Sequence, residues 1–139
     1  MAENSLDKKV KADGNNLQAM MALAQTHVTL RRYKEAIDLY VRALELTKGQ
    51  KIHRVVAVVL GEVQVMAREG QVGEDARKTF AYVLNLDEDN PLAWHYLALY
   101  AAQRGEIDEA LDVWRALLQS GPSDVYWKAR VRQALAYYR

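Results

Sequence analysis

The sequence predicts an all-α solenoid of about three helical hairpins, with a leading helix and a C-terminal capping helix. An alanine followed four residues later by an aromatic side chain occurs three times, at Ala36–Tyr40, Ala76–Phe80 and Ala110–Trp114. The last two copies lie 34 residues apart and the first two lie 40 residues apart. Apolar residues around each copy follow the three- and four-residue spacing of a buried helix face.

A period of 34 residues made of two helices is typical of the tetratricopeptide repeat (TPR). The small alanine lets two antiparallel helices approach closely, and the aromatic side chain one turn later fills the space towards the next hairpin. Elements that cover the two open ends of such a stack are also needed. The predicted segments are a leading helix with its following turn (1–16), three hairpins (17–56, 57–90 and 91–124) and a C-terminal capping helix (125–139).

The connections of the first repeat depart from this pattern, both inside its hairpin and on the way to the second repeat. Six extra residues separate the first two marker alanines, and we assign them to a longer polar turn around Thr47–Lys51. The turn inside the hairpin carries Gly70 in the second repeat and Gly105 in the third, whereas the first repeat has Leu30–Arg32 there. The β-branched run Val55–Val59 is the one segment whose composition also suits a strand.

Composition excludes several classes of function. The 19 basic and 18 acidic side chains give a formal net charge of +1, which provides no general attraction to nucleic acid or to an anionic membrane. No cysteine is present, which excludes disulfides, thiolate metal ligands and a cysteine nucleophile. No apolar run approaches the roughly 20 residues that span a bilayer. We therefore expect no nucleic-acid binding and no direct membrane contact within this chain.

The residue types that carry chemistry form no convergent set. His27, His53 and His95 belong to different predicted helices, and no pair has the spacing of metal ligands. No nucleophile-elbow, zinc-protease, P-loop or dinucleotide-binding motif occurs. We predict that the chain is not an enzyme, with no catalytic residue, no metal site and no cofactor.

The three tryptophans receive different predictions. Trp94 and Trp114 occupy seam positions of the repeat, so we predict that both pack in the core and do not form a ligand platform. Trp127 lies outside the repeats, and the sequence leaves open whether it is buried or exposed. The basic side chains near Trp127 are predicted to form a solvated face, because the rest of the chain is electrostatically balanced.

The predicted functional surface is the groove lined by the first helix of each hairpin. Its side chains are mostly apolar or amide-bearing, which suits an amphipathic helix laid into the groove. The basic residues with which some TPR domains clamp the C-terminal carboxylates of a chaperone are missing, so a heat-shock co-chaperone role is not expected. The predicted lining residues are Met21, Gln25, Val28, Glu62, Val65, Glu69, His95, Tyr96, Leu99 and Gln103.

A longer run of sequence is similar to one narrower family. The segments concerned are Gly70–Arg77, Phe80–Pro91, Tyr96–Leu99, Ala110–Leu118, Gly121–Trp127 and Val131–Leu135, with the leader Leu6–Asn15. In this order they resemble the periplasmic TPR domain of the CcmI (CycH) family of bacterial c-type cytochrome maturation. The similarity covers roughly residues 6–139.

This resemblance implies a periplasmic domain of a protein anchored in the inner membrane, with the anchor outside this chain. Such a domain is a chaperone that binds the C-terminal helix of apocytochrome c for the haem-ligation step and works beside other haem-ligation subunits. The absence of cysteine suits a client with free thiols, because no competing disulfide can form. The alternative, from another functional class, is a generic TPR scaffold that joins subunits of an envelope or secretion assembly. It predicts a folded partner bound outside the groove.

Overall fold

The computed structural model describes residues 16–122 and 125–139, and the predicted leading helix over Ser5–Ala12 lies outside them. Every regular element in the described ranges is an α-helix, which confirms the all-α class. The chain divides into two compact units, the first ending at Gly70 and the second beginning at Gln71. This boundary falls between the two helices that the sequence assigns to the middle hairpin.

The first unit contains the helices α1 (Leu17–Thr29), α2 (Tyr33–Leu46) and α3 (Ile52–Ala67). Helix α2 packs against both α1 and α3. Asn16 caps α1, since its Oδ1 accepts a hydrogen bond from the backbone N–H of Ala19 at 2.9 Å. The buried core side chains are Ala19, Met20, Leu23, Ala24, Ala36, Tyr40, Ala43, Val56, Leu60 and Val63.

Helix α3 begins at Ile52, earlier than the predicted repeat start at Ala57, and it includes the β-branched run. A buried contact explains the early start: Thr47 Oγ1 donates to the Ala43 carbonyl at 2.9 Å and lies 3.0 Å from Nδ1 of His53. This contact joins the two ends of the turn, so the next helix begins directly after it. The polar turn predicted around Thr47–Lys51 lies between α2 and α3, and α3 takes up part of the extra length, since it has 16 residues against 13 in α1.

The second unit contains α4 (Glu74–Leu86), α5 (Pro91–Gln103), α6 (Ile107–Ser120) and α7 (Tyr126–Tyr138). Helix α5 contacts the other three helices, and α7 also packs on α6. Asn90 caps α5 through a 3.0 Å hydrogen bond from the backbone N–H of Ala93 to its Oδ1. The buried core side chains around α6 and α7 are Ala98, Ala102, Ala110, Leu111, Trp114, Trp127 and Val131.

A surface network also joins α4 to α5. The Tyr100 hydroxyl donates to Oε2 of Glu74 at 3.0 Å, and Arg77 donates to the other oxygen of the same carboxylate. The Arg104 guanidinium lies 3.5 Å from the centre of the Tyr100 ring. Hydrogen bonds from Arg77 and then from Tyr100 lower the pKa of Glu74 to about 2. Glu74 therefore keeps its charge at any ordinary pH.

The turns inside the hairpins share one backbone geometry, whether or not they contain glycine. The N–H of Arg32 donates to the carbonyl of His27 at 2.8 Å, and the N–H of Glu106 donates to Ala101 at 3.0 Å. In each turn the preceding residue is left-handed, with φ of 60° at Arg31 and 91° at Gly105. Arg31 thus takes the backbone position that glycine holds in the third repeat.

The repeat markers occupy the core positions that the sequence assigns to them. Each packs where two helices meet, as a repeat of antiparallel hairpins requires. The three alanines are at most 1% exposed and the three aromatic residues at most 2%: Ala36, Ala76, Ala110, Tyr40, Phe80 and Trp114.

Candidate functional site

Three of the predicted groove residues form one stripe along α1. Met21, Gln25 and Val28 follow each other at four- and three-residue spacing, which places them on one face of the helix. Gln25 is exposed, and Met21 and Val28 are half-buried against the core of the first unit. The stripe is therefore accessible to solvent, and its two apolar members also pack against the core of the first unit.

The three groove residues predicted near α3 do not form such a stripe. Val65 is buried, with 7% of its surface exposed, and Glu62 is half-buried. Glu69 lies beyond the end of α3, exposed and with a left-handed φ of 54°. Only Glu62 therefore offers its side chain from the accessible side of the helix.

An accessible apolar stripe does run along α3, on a neighbouring face that the repeat template misses. Ile52, Val55, Val59, Glu62 and Met66 recur at alternating three- and four-residue intervals, and we name these five residues the α3 stripe. Ile52 is 43% exposed, Val55 55% and Met66 45%. The alternating apolar spacing was the signal in the sequence that could have revealed this face.

In the second unit, His95 packs in the interior and does not face solvent. It is 4% exposed, and its Nδ1 accepts a hydrogen bond from Nε1 of Trp114 at 3.0 Å. Burial lowers the pKa of His95 to about 4, because the interior disfavours the charged imidazolium. His95 is therefore neutral at neutral pH and links α5 to α6.

Tyr96 is also buried, and it holds the C-terminal helix in place. It is 7% exposed, and its ring stacks on Phe80 with the centres 4.6 Å apart. Its hydroxyl oxygen accepts a hydrogen bond from Arg130 of α7 at 2.6 Å, and the same guanidinium donates to Tyr126 at 2.9 Å. Burial, with a smaller contribution from Tyr126, raises the pKa of Tyr96 to about 12. Helix α7 thus covers the part of α5 that carries Tyr96.

The remaining two predicted residues of the second unit also make internal contacts. Leu99 is half-buried against the core around α6 and α7. Oε1 of Gln103 accepts a hydrogen bond from the backbone N–H of Val72 at 2.8 Å, which ties the segment before α4 to the end of α5. All four predicted lining residues of the second unit therefore contact other parts of that unit: His95, Tyr96, Leu99 and Gln103.

The tryptophan predictions need one correction. Trp114 and Trp127 are buried, at 0% and 2% exposure, but Trp94 is 40% exposed. The prediction that Trp94 packs in the core is wrong, because its Nε1 donates to the carbonyl of Glu88 at 2.8 Å. This bond holds the indole beside the start of α5, where part of the ring stays in contact with solvent.

The described residues form neither a cluster of metal ligands nor a membrane-spanning helix. Among residues 16–122 and 125–139, no group of three or more histidine, cysteine or acidic side chains is placed to hold a metal ion. Within the same ranges, none of the helices combines the length and the apolar character needed to cross a bilayer.

Comparison with known families places the chain among repeat proteins. The family model described as "Tetratricopeptide repeat" matches residues 2–51 and 68–125. The chain therefore belongs to the tetratricopeptide-repeat family. Two solved structures of MamA share the fold, with TM-scores of 0.69 and 0.64 at 21% and 19% identity. They align with 98% of this chain and with 74% and 76% of their own chains, which confirms the predicted TPR-type α-solenoid.

Two curated relatives are closer in sequence. "Cytochrome c-type biogenesis protein CycH" of Bradyrhizobium diazoefficiens is 38% identical over 113 residues, and the protein of the same name from Rhizobium meliloti is 29% identical over 141 residues. The matches cover 81% and 88% of this chain but 30% and 36% of the relatives. The chain thus spans about a third of the length of the curated relatives it matches. The resemblance to the CcmI (CycH) family is confirmed.

Proposed function

We propose that this TPR domain is a chaperone that binds the C-terminal helix of apocytochrome c for the haem-ligation step of c-type cytochrome maturation. The observation that carries the proposal is the α3 stripe, an accessible and mostly apolar seam along the 16-residue α3. An amphipathic helix has apolar residues at the same alternating spacing, so the two helices can pack side by side. The similarity to two proteins named CycH supports cytochrome c biogenesis as the process concerned.

The stripe on α1 supplies a second set of contacts in this proposal. Helices α1 and α3 both pack against α2, so the first unit presents two helices with accessible apolar side chains. Met21 has a flexible thioether that adapts to different client side chains, and Gln25 can hydrogen-bond at the edge of the contact. Val28 adds apolar area, and Glu62 favours a client helix with a basic residue at the matching position.

The second unit has a mainly supporting role in the proposal. His95, Tyr96 and Gln103 already have internal partners, on α6, on α7 and in the segment before α4, so they are not assigned to contacts with a client helix. Leu99 is the predicted lining residue of that unit without a hydrogen-bonding role. We infer a domain without catalysis, located in the periplasm as part of a membrane-anchored protein and working beside other haem-ligation subunits.

Titration with peptides tests this function. A fluorescently labelled peptide with the sequence of an apocytochrome c C-terminal helix is mixed with the domain, beside a scrambled peptide of the same composition, and anisotropy is followed. We expect saturable binding of the native sequence and at least about tenfold weaker binding of the scrambled one. Equal affinity for both peptides would contradict the proposal.

The scaffold alternative has one structural feature in its favour. Val125, Tyr126 and Tyr137, at or next to α7, are 74%, 57% and 79% exposed. A scaffold that joins folded subunits, or a domain that associates with itself through its last helix, would bury these side chains. Sedimentation velocity over a range of concentrations tests the self-association, because the peptide-binding proposal expects no concentration-dependent increase in mass.

A further inference from the structure

A cavity of about 590 Å³ lies in the second unit between α5 and α6. It contains none of the residues that we assign to client binding. Its lining combines an indole ring with aliphatic side chains, one carboxylate and one hydroxyl group. The lining residues that matter for its chemistry are Asp89, Trp94, Val113, Leu117, Ser120 and Pro122.

The ring of Trp94 has a fixed orientation in this cavity. Its Nε1 donates to the Glu88 carbonyl at 2.8 Å, so the indole does not have to be ordered when a ligand arrives. The side chain is nevertheless 40% exposed. Burial of the rest of this ring by a partner would be favourable, since tryptophan offers a large apolar area together with an electron-rich face.

The electrostatics of the cavity favour a cation. Asp89 lines it, exposed Glu88 is the neighbouring residue, and no lysine or arginine is among the lining residues within the described part of the chain. The face of an indole ring attracts a cation, and a nearby carboxylate adds a charge-assisted hydrogen bond. The aliphatic wall of Val113, Leu117 and Pro122 can pack against the stem of a long basic side chain.

We propose that this cavity binds a basic side chain, preferably arginine, of a polypeptide partner. The guanidinium stacks on Trp94 and pairs with Asp89, while the Ser120 hydroxyl can accept one more of its hydrogen bonds. Arginine suits the site better than lysine because its planar group stacks on an aromatic face and is less strongly hydrated. A volume of about 590 Å³ also leaves room for the residues on either side of the arginine.

The test uses two short peptides that differ in charge and have nearly the same shape. N-acetyl-Ala-Arg-Ala-amide and the same peptide with neutral citrulline are titrated into the ¹⁵N-labelled domain, and the Trp94 indole signal is followed by NMR. We expect saturable shifts with the arginine peptide and about fivefold weaker binding of the citrulline peptide. Equal affinity for the two peptides would overturn the proposal.

To locate the contact, the affinity of protein variants for the same peptides is measured by calorimetry. Trp94→Leu and Asp89→Asn are each expected to weaken binding of the arginine peptide by about fivefold. The matched controls are Tyr82→Leu, an exposed aromatic residue on α4, and Asp38→Asn, an exposed carboxylate on α2; both should leave the affinity unchanged. Asp89→Asn is a surface change that keeps the test valid if Trp94→Leu does not fold. Unchanged affinity in Asp89→Asn would contradict the assigned site.

Discussion

The indole N–H of Trp114 donates to Nδ1 of His95 at 3.0 Å inside the second unit. Both side chains are buried, so this hydrogen bond joins α6 to α5 where no water competes for it. Because Nδ1 is the acceptor, the neutral imidazole carries its proton on Nε2. Protonation of Nδ1 would set a second donor against the indole N–H.

We expect the stability of the domain to fall as the pH decreases from about 6.5 to about 4, and His95 to cause part of that fall. The imidazole titrates near 6.5 in the unfolded chain, whereas its pKa in the folded chain is about 4. Between these values the unfolded state binds more protons, so the free energy of unfolding rises with pH. The contribution of His95 near pH 7 is on the order of 3 kcal/mol, and it is lost as the pH approaches 4.

Urea denaturation at several pH values, with the wild type beside His95→Gln, measures this contribution. Glutamine does not titrate and can still accept a hydrogen bond from Trp114 through its side-chain oxygen. We therefore expect a flatter dependence of stability on pH in the variant. Parallel curves for the two proteins would show that His95 does not control the pH dependence.

Two tryptophan substitutions of equal volume change should have unequal effects. Trp114→Phe removes the donor and leaves Nδ1 of His95 buried without this partner, whereas Nε1 of Trp127 has no hydrogen-bond partner within the described part of the chain. We expect Trp114→Phe to destabilise the domain by about 1–2 kcal/mol more than Trp127→Phe does. Chemical denaturation measures both. An equal loss of stability would mean that the Trp114–His95 bond contributes little.

Glycine at position 31 should stabilise the first hairpin. Arg31 has a left-handed φ of 60°, a conformation that costs a residue with a Cβ atom about 1 kcal/mol or more. We expect Arg31→Gly to raise the free energy of unfolding by roughly 0.5–1 kcal/mol, after allowance for the greater freedom of glycine in the unfolded chain. Arg31→Ala is the matched control, since it removes the same side chain but keeps the strain. A gain of similar size in both variants would exclude backbone strain as the cause.

The repeat positions were predictable from sequence because they depend on the two helices of one hairpin. Alanine and an aromatic residue one turn later define a close crossing, so Ala36 and Tyr40 are buried as the pattern requires. The exposure of Trp94 depends instead on a hydrogen bond to a loop carbonyl, which no apolar periodicity encodes. The start of α3 depends likewise on the contact between Thr47 and His53 across a turn.

The candidate site was less predictable than the fold. A repeat template assigns lining positions as if every first helix faced the same open groove. Tyr96 does not, because Arg130 of α7 covers it, and the sequence does not show where a terminal helix packs. On α3 the accessible face is the one that carries Val55 and Met66, next to the template positions. The apolar spacing shows that a stripe exists, but only the packed structure shows that it stays exposed.

The most direct test of client binding uses two valine substitutions in the first unit. Val55 belongs to the α3 stripe and is 55% exposed, while Val41 on α2 is 46% exposed and lies outside it. Aspartate at either position places a carboxylate on a helix surface, so the costs to folding are similar. The measurement is the affinity of each variant for the labelled apocytochrome c helix, by anisotropy.

Val55→Asp should weaken binding by about tenfold or more, because the new charge would lose its hydration against the apolar face of the client helix. Val41→Asp should bind within about twofold of the wild type. An unchanged affinity in Val55→Asp, or equal losses in the two variants, would contradict the assignment of the α3 stripe as the client-binding surface.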